Sequence, residues 1–208
     1  MKFDEWEPIY KEILDEFGFD RGRDEEAALL LSKIIRDRSI NIQRLSDLIY
    51  RKQVIICGNA PLLDEELSST DVSGRVIIAA DGATSILLKN CIVPNVVVTD
   101  LDGCMEDIIS ADKQCAIIVV HAHGDNIPAI KQYVTLMKNV IGSTQSKPIK
   151  NVHNFGGFTD GDRCVFLAKE FNADSIELIG FDFKDPNVSE IKRKKLQWAE
   201  RLINMCEF

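Results

Sequence analysis

The chain has 208 residues, 45% of them hydrophobic and 28% charged, with a formal net charge of −8. That length admits one α/β domain with an extension, or two small domains, and a core able to stand without disulfides or a structural metal. The acidic balance argues against nucleic acid as the main partner. No apolar run approaches the roughly 20 residues of a spanning helix, and the charged, acidic N-terminus does not read as a signal peptide, so the expected setting is cytoplasmic and away from membranes.

Residues 1–50 read as a helical extension. Trp6, Ile9, Ile13 and Phe17 recur at helical steps, with Pro8 near the start and Gly18 at the expected stop. A second helix is predicted from about Asp24, and Ile42, Leu45, Leu48 and Ile49 make a third apolar stripe. Nothing chemical stands out in this stretch, which reads as a packing or dimer-forming layer.

From Arg51 the pattern changes. The apolar runs Val54–Cys57, Val76–Ala80, Val96–Thr99, Ala116–Val120 and Ile176–Gly180 are continuous and rich in β-branched residues. Such runs suit strands buried on both faces, hence a mainly parallel sheet sandwiched by helices over 51–208. The intervening helices are predicted at Ala83–Lys89, Met105–Ala111, Ile127–Val140, Thr159–Phe171 and Ser189–Met205, with Gly142–Lys150 a polar, mobile loop. Six scattered cysteines with no C-x-x-C spacing read as buried reduced thiols.

The acidic residues follow the strands. Asp81-Gly82, Asp100-Leu101-Asp102-Gly103, His121-Ala122-His123-Gly124-Asp125-Asn126 and Phe181-Asp182 each come at the end of an apolar run. In an open parallel sheet these ends share one edge, where ligands bind. Carboxylates about 4 Å apart repel by roughly 4 kcal/mol at an effective dielectric near 20. Such a site must retain protons or hold a cation, and oxygen ligands alone favour magnesium, manganese or calcium. Asp100 and Asp102, two residues apart on an extended strand end, would face one ion together. Magnesium carrying substrate phosphates is the expected occupant, with Asp81 and Asp125 completing the set.

Phosphate binding has no P-loop or G-x-G-x-x-G to rely on. Gly58-Asn59-Ala60-Pro61, after the first strand, allows close approach of backbone N–H groups to an anion. Gly156-Gly157-Phe158-Thr159-Asp160-Gly161-Asp162-Arg163 joins a glycine pair to a helix start. There Thr159 and Asp162 have capping-box spacing, and Arg163 stands beside a helix N-terminus. His121-x-His123-x-Asp125 resembles half of a zinc motif, but Asn126 stands where a further histidine is needed and His153 is the only other histidine. The run Lys192-Arg193-Lys194-Lys195 reads either as a solvated helix face or as cations folding over phosphates, and its sequence does not choose.

Taken together, GNAP (58–61), ADGATS (80–85), VTDLDG (98–103), HAHGDN (121–126), NFGGFTDGDRC (154–164) and GFDF (180–183) resemble the archaeal 6-hydroxymethyl-7,8-dihydropterin pyrophosphokinases, themselves similar to thiamine pyrophosphokinase. The resemblance implies transfer of diphosphate from ATP to a small pterin alcohol, AMP as the other product, a place in methanopterin or folate synthesis, and a homodimer. Independently, strand-end position makes Asp100 and Asp102 the expected magnesium ligands, with Asp81 and Asp125 completing the cluster directly or through water. A carboxylate or His123 is the expected proton acceptor. Gly58, Asn59, Gly82, His121, Asn126, Gly156, Gly157, Thr159, Asp160, Arg163 and Asp182 are expected around the nucleotide, phosphates or pterin. Thr99-Asp100-Leu101-Asp102-Gly103 departs from the Gly-Asp-Phe-Asp-Ser element of thiamine pyrophosphokinase, which weakens thiamine as acceptor. A nucleotide-sugar glycosyltransferase related to flagellin-modification proteins, and a nucleotide sensor without catalysis, are the competing readings.

Overall fold

The computed structural model describes residues 1–206. Its centre is a sheet of β1 (Gln53–Cys57), β2 (Val76–Ala80), β3 (Val96–Thr99), β4 (Ile117–Ala122), β5 (Val140–Thr144), β6 (Val152–His153) and β7 (Ser175–Ile179). The strands lie in the order β6-β5-β4-β3-β2-β1-β7, and every neighbouring pair is parallel. β2, β3, β4 and β5 are buried along their whole length, which is why, apart from His121 in β4, their sequences are apolar or small runs rather than alternations. The edges differ. β6 has two residues, and β7 exposes Ser175 and Glu177 in alternation with its inward side chains.

Helices cover both faces. Those preceding β1 are α1 (Phe3–Phe17), α2 (Arg21–Ile34) and α3 (Gln43–Ile49). Then come α4 (Leu63–Ser69), α5 (Ala83–Lys89), α6 (Met105–Lys113), α7 (Ile127–Tyr133), α8 (Asp160–Glu170) and α9 (Glu190–Met205). One apolar core joins α2 and α4–α7 to the sheet through Leu31, Leu63, Leu87, Ile108 and Ile130. The other joins α3 and α8 to the opposite face through Leu45, Ile49, Val165 and Leu167. α1 is a further layer, with Trp6, Tyr10 and Ile13 packed beside Phe166 of α8 and Trp198 and Leu202 of α9.

Three local expectations are corrected. The helix predicted over Ile127–Val140 ends at Tyr133, followed by a 3-10 turn over Val134–Leu136. The polar loop predicted from Gly142 is instead β5 and its continuation, buried through Ser146. Pairing overrides the polar composition: Ile118, Val120 and Ala122 of β4 align with Val140, Gly142 and Thr144. Gly142 is needed there because a Cβ would stand 2.9 Å from both Ile35 and Val152. Finally, of the cysteines only Cys57 and Cys164 are buried, whereas Cys91, Cys104 and Cys115 are exposed and Cys206 is intermediate. All six are reduced, and burial pushes the Cys57 thiol up to about 12.

Candidate active site

The chain runs outward from β1 to β6 and then returns to place β7 on β1's other side. That reversal leaves a crevice at the carboxyl ends of the strands. A cavity of about 370 Å³ lies over it, lined from below by Gly58–Pro61, Asp81, Gly82, Asp100, Asp102 and Gly180–Phe183.

At its centre, ligand oxygens of Asp81, Asp100 and Asp102 all lie within 4.8 Å of one another. Local backbone geometry brings them together. Asp81 follows β2 with a left-handed φ of 40° and is held by the Thr99 hydroxyl. Leu101 is also left-handed, at φ 70°, with its N–H donated to Thr99 Oγ1 at 2.8 Å and its side chain buried. Asp100 and Asp102 therefore converge across a turn, not by the extended alternation expected from their spacing. Bulky residues enter this region only under constraint, and here the Thr99 hydroxyl and the apolar core supply it. Gly103 must lack a side chain, because a Cβ would lie 2.2 Å from Asp81 Oδ2.

The carboxylates titrate apart. Asp102 is the most exposed of the three, yet partial desolvation beside the other carboxylates pushes it up, and the charge of Asp100 and hydrogen bonding to it add to the effect, so it reaches about 7. Burial also raises Asp81, against the pull of the Thr99 hydroxyl. For Asp100, burial is outweighed by the His123 hydrogen bond and the Arg163 charge, which hold it down at about 2. Asp160, on the same cavity wall, is raised well above the usual range by burial and then by Asp100, with Arg163 opposing. Asp100 Oδ1 is buried without a hydrogen-bond partner. Excess negative charge, shared protons and an orphaned oxygen are what a hard cation would relieve.

The histidine segment divides. His123 lines the cavity, its Nε2 3.4 Å from Asp100 Oδ2 and its Nδ1 accepting the Asp125 N–H at 3.3 Å. These bonds assign the proton to Nε2. Asp125 lines the same cavity but lies outside the three-carboxylate group. His121 faces elsewhere. β4 runs to Ala122, two residues beyond the apolar run, so alternation carries His121 beside Val119 on the α8 side. It is buried there, 3.2 Å from Ser143 Oγ, and burial drives its imidazole well below its ordinary value. Asn126 is a brace: its amide donates to the carbonyls of Asp100 at 2.7 Å and His121 at 2.6 Å, and its oxygen accepts the His123 N–H.

The glycine pair shapes the approach to α8. Gly156 and Gly157 both have φ near +88°, and a Cβ on Gly157 would meet the Arg163 backbone at 2.7 Å. Neither lines the large cavity among the described residues; Gly156 borders the small pocket beside His121. Asp162 caps α8, accepting N–H bonds from Phe158 and Thr159. Thr159, Asp160 and Arg163 do line the cavity, and Arg163 reaches Asp160 at 3.3 Å and Gln145 at 3.4 Å. Asn59 packs on Gly82, where a Cβ would stand 2.3 Å from its Nδ2. Asp182 borders the cavity beside Phe181 and Phe183.

The leader contributes what the sequence hid. Phe19, Arg23 and Asp24 line the cavity, with Phe19 beside Phe158 and Asp24 bonded to Gln145. Asp24 is 3% exposed and accepts from Tyr10 Oη at 2.6 Å, Gln145 Nε2 at 2.7 Å and the Gly124 N–H at 2.8 Å. Trp6 Nε1 donates to the Gln145 carbonyl at 2.8 Å. Nothing local in the sequence marks Asp24, because two of its three partners, Gly124 and Gln145, are 100 and 121 residues away.

Residues 30–188 match the family described as 6-hydroxymethylpterin diphosphokinase MptE-like. The chain is 43% identical to a 6-hydroxymethyl-7,8-dihydropterin pyrophosphokinase of Methanothermobacter thermautotrophicus, covering 100% of this chain and 96% of that protein. Proteins of the same description from Methanocaldococcus jannaschii and Pyrococcus furiosus are 41% and 43% identical, each over 98% of this chain and over 95% and 93% of their own lengths.

Proposed function

The chain belongs to the 6-hydroxymethylpterin diphosphokinase MptE-like family, and we propose that it works through magnesium held by Asp81, Asp100 and Asp102. Its activity is the transfer of a diphosphate group from ATP to the hydroxymethyl oxygen of 6-hydroxymethyl-7,8-dihydropterin, giving AMP and the pterin diphosphate. Full-length likeness to three proteins of this description favours a pterin acceptor over thiamine and over glycosyl transfer. The observation that carries the metal reading is the convergence of three carboxylates within 4.8 Å around a buried, unpartnered Asp100 oxygen.

Magnesium bound there would neutralise polyphosphate charge and hold phosphate oxygens for in-line attack. The residues do the rest. The acceptor oxygen forms a bond to the β-phosphorus as the bond from that phosphorus to the α-phosphate oxygen breaks, and AMP leaves with the bonding electrons. The hydroxyl proton needs an acceptor, and Asp160 suits that task. It lines the cavity outside the three-carboxylate group, and burial together with the charge of Asp100 makes it a stronger proton acceptor than an ordinary carboxylate. His123 suits it less, because Nδ1 already accepts an N–H and Nε2 is turned to Asp100. Its role in this reading is to orient Asp100. The pterin ring is assigned to the leader end of the cavity, against Phe19 and Phe158, whose centroids are 6.3 Å apart.

A homodimer and a cytoplasmic setting belong to the same reading; no helix among the described residues is long and apolar enough to cross a membrane. Incubating the protein with ATP, magnesium and the pterin alcohol should release AMP in step with pterin diphosphate. AMP release without the pterin product would refute the acceptor, and turnover undiminished by a chelator would refute the metal.

A further inference from the structure

The lining of the cavity is strongly acidic. Among the described residues it carries nine aspartates against four cations, Arg23, Arg163, Lys192 and Lys195. ATP brings about four further negative charges, so magnesium alone leaves the complex short of positive partners. Two of the four cations already make contacts, although Arg163 Nε has no partner. Arg23 donates to the Gly124 carbonyl at 2.9 Å, and Arg163 is engaged by Asp160 and Gln145. Neither Lys192 nor Lys195 makes an ion pair among the described residues.

Their placement is selective. The run Lys192-Arg193-Lys194-Lys195 occupies successive positions of α9, yet only its first and last members line the cavity. Three residues apart, they are neighbours on one helix face, and Leu196 and Ala199 continue that face along the same wall. Lys192, Arg193 and Lys194 are all exposed and Lys195 is half-buried, but Arg193 and Lys194 do not line the cavity. The face is fixed behind, since Trp198 is buried in the cluster with α1 and its indole N–H donates to Glu16 at 2.7 Å. Helix geometry puts this i and i+3 pair on the cavity face, where two adjacent unpaired cations suit a polyphosphate.

We propose that Lys192 and Lys195 grip the β- and γ-phosphates of ATP, so that the nucleotide's polyphosphate lies between α9 and the carboxylate group. This rests on the nucleotide-binding reading above. It gives the cavity a direction, with the diphosphate donor toward α9 and the acceptor toward α2. Lysine is suited to the task, because a flexible point charge can follow the phosphate as AMP departs.

The test is calorimetry of magnesium–ATP and of AMP without acceptor, beside steady-state kinetics. Three proteins are compared: the unaltered chain, Lys192→Ala/Lys195→Ala and Arg193→Ala/Lys194→Ala. All four side chains are at a helix surface, and circular dichroism of each variant establishes folding. The expected result is an ATP affinity weakened about tenfold or more in the first variant, with AMP affinity and the KM for the pterin within about twofold. The second variant should match the unaltered chain. Equal losses in both variants would reduce the effect to bulk charge and overturn the proposal, as would an AMP affinity that falls with that of ATP. If the unaltered chain binds ATP but makes no pterin diphosphate, the acceptor assignment fails while the lysine result is still read from binding.

Discussion

Nε2 of His123 lies 3.4 Å from Oδ2 of Asp100, and this pair separates the behaviour of three neighbouring carboxyl groups. With the imidazole and Arg163 beside it, Asp100 stays ionised down to about pH 2, whereas Asp102 keeps its proton to about pH 7. One member of the cluster is thus ready for a cation at any physiological pH, and another must first give up a proton.

Replacing His123 by Ala removes the hydrogen bond that lowers Asp100 and leaves burial to raise it. The acid limb of the kcat/KM profile should move to higher pH, with the profile above pH 8 little changed. A pH–rate profile checks this, and an unmoved acid limb would remove His123 from its positioning role.

Metal affinity should weaken as pH falls through about 7, because the cation competes with the proton on Asp102. Calorimetry in buffers of different ionisation heat at about pH 6 should find proton release on magnesium binding. The stability sign follows from the raised value. The metal-free fold binds this proton more tightly than the unfolded chain, so the group's contribution is full below about pH 4 and is lost as pH rises through about 7. Added magnesium should reverse that loss, visible as a melting temperature that climbs with metal above pH 7.

Asp100→Ala and Asp102→Ala should each lower turnover by about a thousandfold or more while the protein remains folded. Asp102→Asn should also hold or raise the metal-free melting temperature, since it removes a repelling charge. Near-normal turnover in both alanine variants would end the metal assignment.

Asp160→Asn keeps the shape of the side chain and removes the proton acceptor. The expected result is a kcat lowered about 100-fold or more, with ATP binding little changed. A normal kcat would return the base role to another group.

Asp24→Ala strands the Tyr10 hydroxyl, the Gln145 amide and the Gly124 N–H in a buried setting. The cost should be about 2–4 kcal/mol in chemical denaturation. Phe19→Ala, in contrast, should raise the pterin KM several-fold and leave ATP affinity intact, as it removes stacking surface from a half-buried ring.

The strand-end carboxylates were legible because each follows directly on a buried run: Asp81 after Ala80, Asp100 after Thr99. In a parallel sheet that adjacency alone brings distant positions to one rim. The path of the chain between Asp100 and Asp102 was not legible, since Leu101's left-handed turn depends on the Thr99 hydroxyl and on an apolar pocket beneath it. His121 went astray by one alternation, because a histidine inside a strand does not announce which face it takes. Phe19, Asp24 and Gln145 left no motif at all. Their place is decided by how α1 and α2 fold back on β5, a long-range fact that no local spacing encodes.

The two borders of the sheet bear on how copies of this chain could meet. β6 offers only two residues, and on β7 the outward Glu177 is bound to Arg75 at 2.5 Å. A short border on one side and a charged one on the other are poor templates for adding a foreign strand. Self-association would therefore favour helical surfaces over an extension of the sheet, leaving the strand ladder confined to a single subunit.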